Sequence, residues 1–235
     1  MTNPIQPAAL FERELGAVDD AERRAEWRHY LAYHSRRYAA LMRIVAELAP
    51  QRVLNVGPMF ETRLLRETGA VVDTLGFPHP LFPPGEGERH IEVDLNELPP
   101  DGDASYDAIV MAEVIEHLHT SPVTVLAALA GWLRPGGAMV LQTPNAVALH
   151  KRLRMLAGRN PLEPIRVDRS NPGHFHEYTI GELRDAARQA GLELGELRTE
   201  NYFGAGRGAR AYALAGRALP PSLRHGITLL LRRPG

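Results

Sequence analysis

Four side chains that can bind a metal ion or a proton fall within the nine-residue stretch "MAEVIEHLH" at 111–119. Glu113, Glu116 and His117 stand at positions i, i+3 and i+4, so a helix would project all three from one face. Such a face could hold a divalent cation, or it could be the solvated start of an ordinary helix. The elements that position these residues are therefore the next question.

Length and composition bound the class of protein. The chain has 235 residues, 44% apolar and 23% charged, which predicts a soluble globular protein with one large domain. No stretch approaches the roughly 20 apolar residues of a membrane span, and the first residues lack the features of a secretion signal. There is no cysteine, so we expect a reducing, cytoplasmic environment. The net charge of −1 gives no overall attraction to nucleic acid.

The periodicity of the apolar residues changes at Pro50. Apolar positions over 8–49 recur at three- and four-residue steps, which predicts an N-terminal helical extension over 1–50. Beyond it, strand-like and helix-like patterns alternate, which predicts one doubly wound α/β domain over 51–235. The predicted strands are 52–57, 70–77, 89–95, 106–112, 138–144, 192–203 and 226–233; the predicted helices are 61–69, 113–133, 146–157, 179–191 and 207–218.

Ligands of open α/β sheets lie beyond the carboxyl ends of the strands, so the residues that follow each strand are the candidates for a site. Among them, Gly57 would let the chain approach a ligand closely. The candidates are Asn55 and Gly57 after the first strand, Gly76 and Phe77 after the second, Asp94 and Leu95 after the third, Met111 and Glu113 after the fourth, and Thr143, Pro144 and Asn145 after the fifth.

Five segments of the chain resemble those of class I S-adenosylmethionine-dependent methyltransferases, in the same order and at similar separations. The segments are "VLNVG", "VDLNELP", "YDAIVMAEVIEHL", "LRPGGAMVLQTPN" and "HFHEYTIGELRDAARQAGLEL". The resemblance is to the group that includes ubiquinone-biosynthesis and sugar or small-molecule O-methyltransferases. It implies a Rossmann-like sheet, mostly parallel with an antiparallel last strand, and S-adenosylmethionine as cofactor.

The resemblance also implies roles for the residues at the strand ends. Asp94 would accept a hydrogen bond from the adenine amino group, and the residues from Met111 to Glu113 would line the methionine end. The implied cofactor-binding residues are Asn55, Gly57, Gly76, Phe77, Asp94, Leu95, Met111 and Glu113.

The glycine-rich loop departs from the family pattern. Its acid and three alternate glycines correspond here to Asn55, Gly57, Met59 and Glu61, so one glycine remains. Asn55 lacks the charge that would favour the positive amino end of the cofactor. A binding or scaffold protein that has lost turnover is therefore an alternative. A nicotinamide-dependent enzyme is not supported, because it would need G-x-G-x-x-G after the first strand.

The second strand also departs from the pattern. The acid that would hold the ribose hydroxyls falls on Gly76. Asp73 lies three residues earlier, and strand alternation points it to the other face of the sheet. Phe77 could stack on the adenine or belong to the core.

The acceptor should be selected by residues 146–178, between the fifth strand and a T-x-x-E capping box at Thr179. Three interpretations remain: a lid helix whose leucines pack on the core, a pocket for an anionic acceptor, or docking on an anionic membrane. Similar insertions favour a small-molecule or glycan acceptor, such as a nucleotide- or lipid-linked sugar, whereas few aromatic residues disfavour RNA. The segment contains Leu149, His150, Lys151, Arg152, Leu153, Arg154, Leu156, Arg159, Arg166 and Arg169, against Glu163 and Asp168.

The opening stretch has a second resemblance. "EVIEH" is similar to the E-x-x-E-H of ubiquinone-biosynthesis and small-RNA 2′-O-methyltransferases, where a further histidine comes from a stretch like "HFHEYT". It implies a divalent metal, which could be Mn²⁺, Mg²⁺, Fe²⁺ or Zn²⁺. Two carboxylates with two imidazoles suit Mg²⁺ less well than the other three, and the ion would acidify a hydroxyl. Similar helices also occur in related enzymes that hold no metal, and there the histidine packs or acts as a general base. The implied ligands are Glu113, Glu116, His117 and His174; the catalytic candidates are Glu113, His117, His174 and His176.

Overall fold

The strands of the computed structural model form one seven-stranded sheet in the order β3-β2-β1-β4-β5-β7-β6. The residues that the structure describes are 7–16, 20–97, 100–167, 172–202 and 209–235. The sheet is parallel from β3 to β5, and β7 is antiparallel to both of its neighbours, which confirms the predicted doubly wound architecture. The strands are β1 (Arg52–Val56), β2 (Val71–Gly76), β3 (His90–Glu92), β4 (Tyr106–Ala112), β5 (Leu133–Pro144), β6 (Glu193–Glu200) and β7 (Gly226–Arg232).

Helices cover both faces of this sheet. Asp20 caps the second helix, because its Oδ1 accepts from the Arg23 amide at 2.7 Å, and Thr179 and Glu182 form the predicted capping box of the sixth. None of the described helices is both long and apolar enough to cross a membrane. The helices are α1 (Pro7–Gly16), α2 (Ala21–Leu48), α3 (Phe60–Arg66), α4 (Pro122–Trp132), α5 (Leu149–Leu156), α6 (Ile180–Gln189) and α7 (Ala209–Arg217), with 3₁₀ turns at Ile115–His117 and Pro221–Leu223.

The two faces of the sheet bury separate apolar clusters. On one face, Leu41 of α2 and Leu64 of α3 belong to a cluster with Val53 of β1. On the other face, the side chains of α4 and α6 surround Leu54 and Ile109. Because side chains alternate between the two faces along each buried strand, the strands contribute to both clusters. Helices α1 and α2 pack on one of these clusters and so share a core with the sheet.

The predicted helix over 113–133 is wrong in its first part. Glu113 has a φ of 57°, the left-handed conformation that cannot begin a right-handed helix. The chain makes a single 3₁₀ turn and is extended again at Leu118. Helix α4 begins only at Pro122, in the predicted early helical position. Glu113, Glu116 and His117 therefore do not share a helical face, and tertiary contacts decide whether they meet.

Candidate active site

The loops that follow β1 and β2 approach each other closely. Gly57 has a φ of 75°, and a Cβ on it would lie 2.8 Å from Cγ2 of Val114. Its amide donates to the carbonyl of Leu75 at 2.8 Å. Gly76 has a φ of 125°, and a Cβ on it would lie 3.6 Å from the Gly57 nitrogen. Glycine at both positions therefore allows this turn, which lies where the cofactor loop is predicted.

Asn55 of β1 pairs with Val110 of β4, one residue before Met111, and both Asn55 and Met111 are fully buried. The Asn55 Nδ2 donates to Oγ1 of Thr62 at 2.8 Å. Its Oδ1 has no hydrogen-bond partner within the described residues. A buried acceptor without a donor is costly, so this oxygen is suited to a donor supplied by a ligand.

Asp94 lies in a turn beyond the short strand β3, which ends three residues earlier than predicted. Its Oδ1 accepts from the amide of Asn96 at 2.9 Å and from its Nδ2 at 3.1 Å. The amide of Val93 donates to the carbonyl of Gly76, which places this turn beside the end of β2. Phe77 is 62% exposed there, a position open for stacking, while Leu95 is buried.

Asp73 points away from these residues. Its carboxylate accepts from Arg52 Nη2 at 2.7 Å, from the Arg89 amide at 2.8 Å and from the Tyr106 hydroxyl at 2.7 Å. Strand alternation thus places Asp73 on the opposite face of the sheet, as predicted. There its carboxylate accepts hydrogen bonds that hold neighbouring strands together.

Sequence reasoning missed a buried ion pair over the cofactor loop. Arg37 of α2 and Glu61 of α3 are each 1% exposed, with Nη2 and Oε2 4.0 Å apart. The guanidinium carbon lies 4.3 Å from the centroid of the Tyr38 ring. Nε and Nη1 of Arg37 have no hydrogen-bond partner in the described part of the chain. Burial raises the pKa of Glu61, although Arg37 opposes the rise.

The signal for Arg37 was present in the helical pattern. Arg37 lies on the apolar stripe of this helix. It follows Tyr30 by seven residues and precedes Leu41 by four and Ile44 by seven. A charged residue within such a stripe is rarely buried without a partner. Only its position on this apolar stripe distinguished Arg37 from the other arginines among the 26 of this chain.

Glu113 lies next to Val114, whose side chain packs against Gly57 of the cofactor loop. Its left-handed backbone is stabilised by a hydrogen bond from its amide to the carbonyl of Gln142 at 2.9 Å. Burial raises the pKa of Glu113 to about 7, with the charge of Arg37 opposing the rise and that of Glu61 adding to it. A strained non-glycine residue with a perturbed pKa is typical of a functional position.

Glu116, His117 and His174 come together, with ligand atoms that all lie within 4.8 Å of one another. Glu116 is fully buried; its Oε2 accepts from Thr143 Oγ1 at 2.9 Å, and its Oε1 has no hydrogen-bond partner among the described residues. Glu113 is not a member of this group. The structure therefore brings together three of the four residues that the sequence suggested as metal ligands.

The imidazoles of this group are held by the loop before α6. His117 Nδ1 lies 2.8 Å from the carbonyl of Gly173, so a neutral ring donates there and leaves Nε2 with its lone pair. Nδ1 of His174 is 3.0 Å from Glu177 Oε1, and Nε2 is 3.0 Å from Glu163 Oε2. Burial lowers the pKa of His117, and it lowers the pKa of His174 to about 4. Both rings are therefore neutral near pH 7.

Lys151, the single lysine of the chain, is a buried residue of helix α5. Its Nζ forms an ion pair with Oε2 of Glu177, whose other oxygen contacts His174. Burial lowers the pKa of Lys151 to about 8, while the charges of Glu113 and Glu116 oppose that change. This chain of contacts attaches α5 to the site.

His176 lies outside the group. Its side chain is 55% exposed, and Nε2 is 3.3 Å from Oε1 of Glu182.

The interpretation of α5 as a lid helix with its leucines packed on the core is wrong, because Leu153 and Leu156 are exposed. Asp168 and Arg169 of the basic segment lie outside the described residues.

A family model described as a methyltransferase domain matches residues 27–197, most of the chain. A curated ubiquinone biosynthesis O-methyltransferase from Paracidovorax citrulli is 29% identical over 132 residues, 54% of this chain and 51% of that protein. The match thus spans about half the length of this relative.

Solved structures share the fold. A 1,6-didemethyltoxoflavin-N1-methyltransferase from Burkholderia thailandensis, with bound 1,6-didemethyltoxoflavin and S-adenosylhomocysteine, has a TM-score of 0.58 at 17% identity, covering 100% of this chain and 92% of that one. An S-adenosylmethionine-dependent methyltransferase from Mesorhizobium loti has a TM-score of 0.58 at 17% identity, covering 83% and 98%. The family match shows that this chain belongs to the methyltransferase domain family.

Proposed function

We propose that this enzyme methylates a hydroxyl oxygen of its acceptor, beside Glu113 and the group formed by Glu116, His117 and His174. The observation that carries the proposal is the convergence of that group within 4.8 Å. A hydroxyl is a poor nucleophile until its proton is removed, and carboxylates and neutral imidazoles are the groups that remove it. The curated relative is an O-methyltransferase by name, which supports the same chemistry.

The cofactor would lie across the ends of β1, β2 and β4. Asp94 would accept from the adenine amino group, and Phe77 would stack on the ring. At the other end, Arg37 would bind the methionine carboxylate with its unpaired N–H groups, and Glu61 would face the ammonium. The buried Arg37–Glu61 pair thereby supplies the charge that Asn55 lacks.

Glu113 is the proposed base. A pKa near 7 lets its carboxylate take the hydroxyl proton at neutral pH. When bound, S-adenosylmethionine would supply the methyl group to that oxygen, with the electron pair of the broken carbon–sulfur bond going to sulfur. Arg37 is near enough to act on the pKa of Glu113, so methyl donor and base share one electrostatic environment.

Glu116, His117 and His174 fit a divalent metal ion. The Glu116 Oε1 is buried and lacks a donor within the described chain, and His117 Nε2 carries a lone pair. Each ring nitrogen of His174 faces a carboxylate, but a neutral imidazole has only one N–H to donate. The other nitrogen therefore turns its lone pair toward a carboxylate oxygen, and a bound cation would relieve that repulsion. When bound, Mn²⁺, Fe²⁺ or Zn²⁺ would lower the pKa of an acceptor hydroxyl.

The acceptor class is a small molecule or a glycan, including nucleotide- or lipid-linked sugars, as the basic segment suggests. Labelled S-adenosylmethionine should be tested with phenolic, sugar-nucleotide, lipid-linked-glycan and RNA acceptors. We expect label on an oxygen of one of the first three. Transfer only to nitrogen, or no transfer to any acceptor despite tight cofactor binding, would refute the proposal; the latter result favours the scaffold alternative.

The metal is tested separately from turnover. Calorimetric titration of Mn²⁺ or Zn²⁺ into chelator-treated protein should show one site that His174→Ala weakens. His176→Ala is the matched control, because this imidazole is exposed and paired with Glu182. Equal titrations for both variants, or full activity in EDTA, would remove the metal and leave Glu113 or His117 as base.

A further inference from the structure

Residues 149–167, here called the lid segment, present large apolar side chains to solvent. Leu153 and Leu156 are 56% and 84% exposed, and Ile165 and Val167 are 65% and 99% exposed. Isolated exposed apolar residues are ordinary, but several within one short segment indicate an interaction surface.

Positive charge accompanies these apolar side chains. Arg152, Arg154, Arg159 and Arg166 are all exposed. The acid of the segment is Glu163, which forms an ion pair with Arg166 and contacts His174. An exposed surface that is both apolar and basic matches a partner that is both apolar and anionic.

The lid segment is held to the domain at its first turn. Lys151 is buried in its ion pair with Glu177, and the imidazole of His150 packs 4.3 Å from that of His225. The apolar side chains of Leu153 and Leu156, on the turns that follow, point outward. Helix α5 is thus attached by a buried lysine and leaves Leu153, Met155 and Leu156 exposed, the reverse of an ordinary amphipathic surface helix.

We propose that the lid segment docks on an anionic phospholipid bilayer. Its apolar side chains would enter the interface, and the arginine stems would extend along it with their guanidinium groups at lipid phosphates. A second copy of the chain fits less well, because it would bring two basic segments together. The docking itself is independent of the proposed O-methylation; only the consequence that a lipid-borne acceptor reaches the site rests on that function.

Vesicle flotation tests the surface without any turnover. The full chain should bind vesicles of phosphatidylcholine mixed with phosphatidylglycerol and fail to bind phosphatidylcholine alone. The variant Arg154→Glu with Arg159→Glu should lower the partition coefficient at least about thirtyfold. Leu153→Asp with Leu156→Asp should lower it at least about tenfold.

Matched controls come from exposed positions elsewhere. Arg184→Glu with Arg188→Glu makes the same charge change on α6, and Leu214→Asp replaces a leucine that is 60% exposed on α7. Both should bind vesicles like the wild type. Equal binding to the two vesicle compositions, or loss of binding in the controls to the same extent, overturns the proposal. So does a wild type that ignores vesicles and instead forms dimers, by light scattering, that Leu153→Asp with Leu156→Asp dissociates.

Discussion

Arg37 offers the sharpest test of how the cofactor is bound. Replacing it with Met keeps an unbranched apolar stem and removes the N–H groups assigned to the methionine carboxylate. A hydrogen bond to a charged partner is worth about 1.5–3 kcal/mol, so S-adenosylmethionine should bind roughly ten- to a hundredfold more weakly. Titration calorimetry measures this directly.

The same substitution leaves Glu61 buried without its partner. Breaking a buried ion pair costs about 3–5 kcal/mol, so Arg37→Met alone should also unfold more easily. The double variant Arg37→Met with Glu61→Gln removes both charges and should recover much of the free energy of unfolding. Its affinity for S-adenosylmethionine should remain low, which separates loss of binding from loss of folding.

Methylthioadenosine is the decisive probe, because it keeps the nucleoside and lacks the amino-acid carboxylate. Its affinity should be the same for the wild type and the double variant. Arg43→Met, which removes an arginine that is 56% exposed on the same helix, should change neither affinity. If both ligands weaken in parallel in the double variant, Arg37 has a structural role and the carboxylate lies elsewhere.

Four further outcomes are expected. Asp94→Ala should weaken S-adenosylmethionine and methylthioadenosine alike, about ten- to a hundredfold by calorimetry, since the adenine is common to both. With Glu113 as base, kcat/KM should rise with pH up to about 7 and then level, and Glu113→Gln should be slow at every pH. Because the native pKa of Glu113 lies above 4.5, stability should fall from about pH 4.5 to about 7 in the wild type and less so in Glu113→Gln, by denaturant titration. Lys151→Met should lose about 3–5 kcal/mol of stability and Lys151→Met with Glu177→Gln much less, and equal losses would argue against a mutual pairing.

The fold was predictable because the strands carry strong local signals. β1 and β4 are short β-branched and apolar runs bounded by a turn, and the ordered motifs identified the family around them. The opposite orientation of Asp73 followed from alternation alone. These features depend on residues close in sequence, so the sequence contains the information.

The site was less predictable because its contacts cross long distances in the chain. Glu116 and His174 meet through a loop 58 residues later, and nothing in the local pattern of 113–133 announces the left-handed Glu113. Helical spacing pointed to Glu116 and His117, which do converge with His174, through a helical face that the structure does not form. The partner of Arg37 depends on how α2 crosses the sheet, which periodicity does not encode.

The charges collected in the site predict that cofactor binding releases protons. Glu61, Glu113 and Glu116 share this environment with two cations, Arg37 and Lys151, and burial raises the pKa of all three carboxyls. S-adenosylmethionine brings a sulfonium and an ammonium against one carboxylate, a net positive charge that favours the ionised acids.

Near pH 7, where Glu113 is half-protonated, binding should therefore expel part of a proton into the buffer. Calorimetric binding enthalpies in buffers of high and low ionisation enthalpy should differ accordingly, and the difference should shrink in Glu113→Gln. The exposed His176→Ala should retain it. A binding enthalpy that is the same in every buffer would mean that Glu113 does not respond to the cofactor's charge, and would place the base away from the methyl donor.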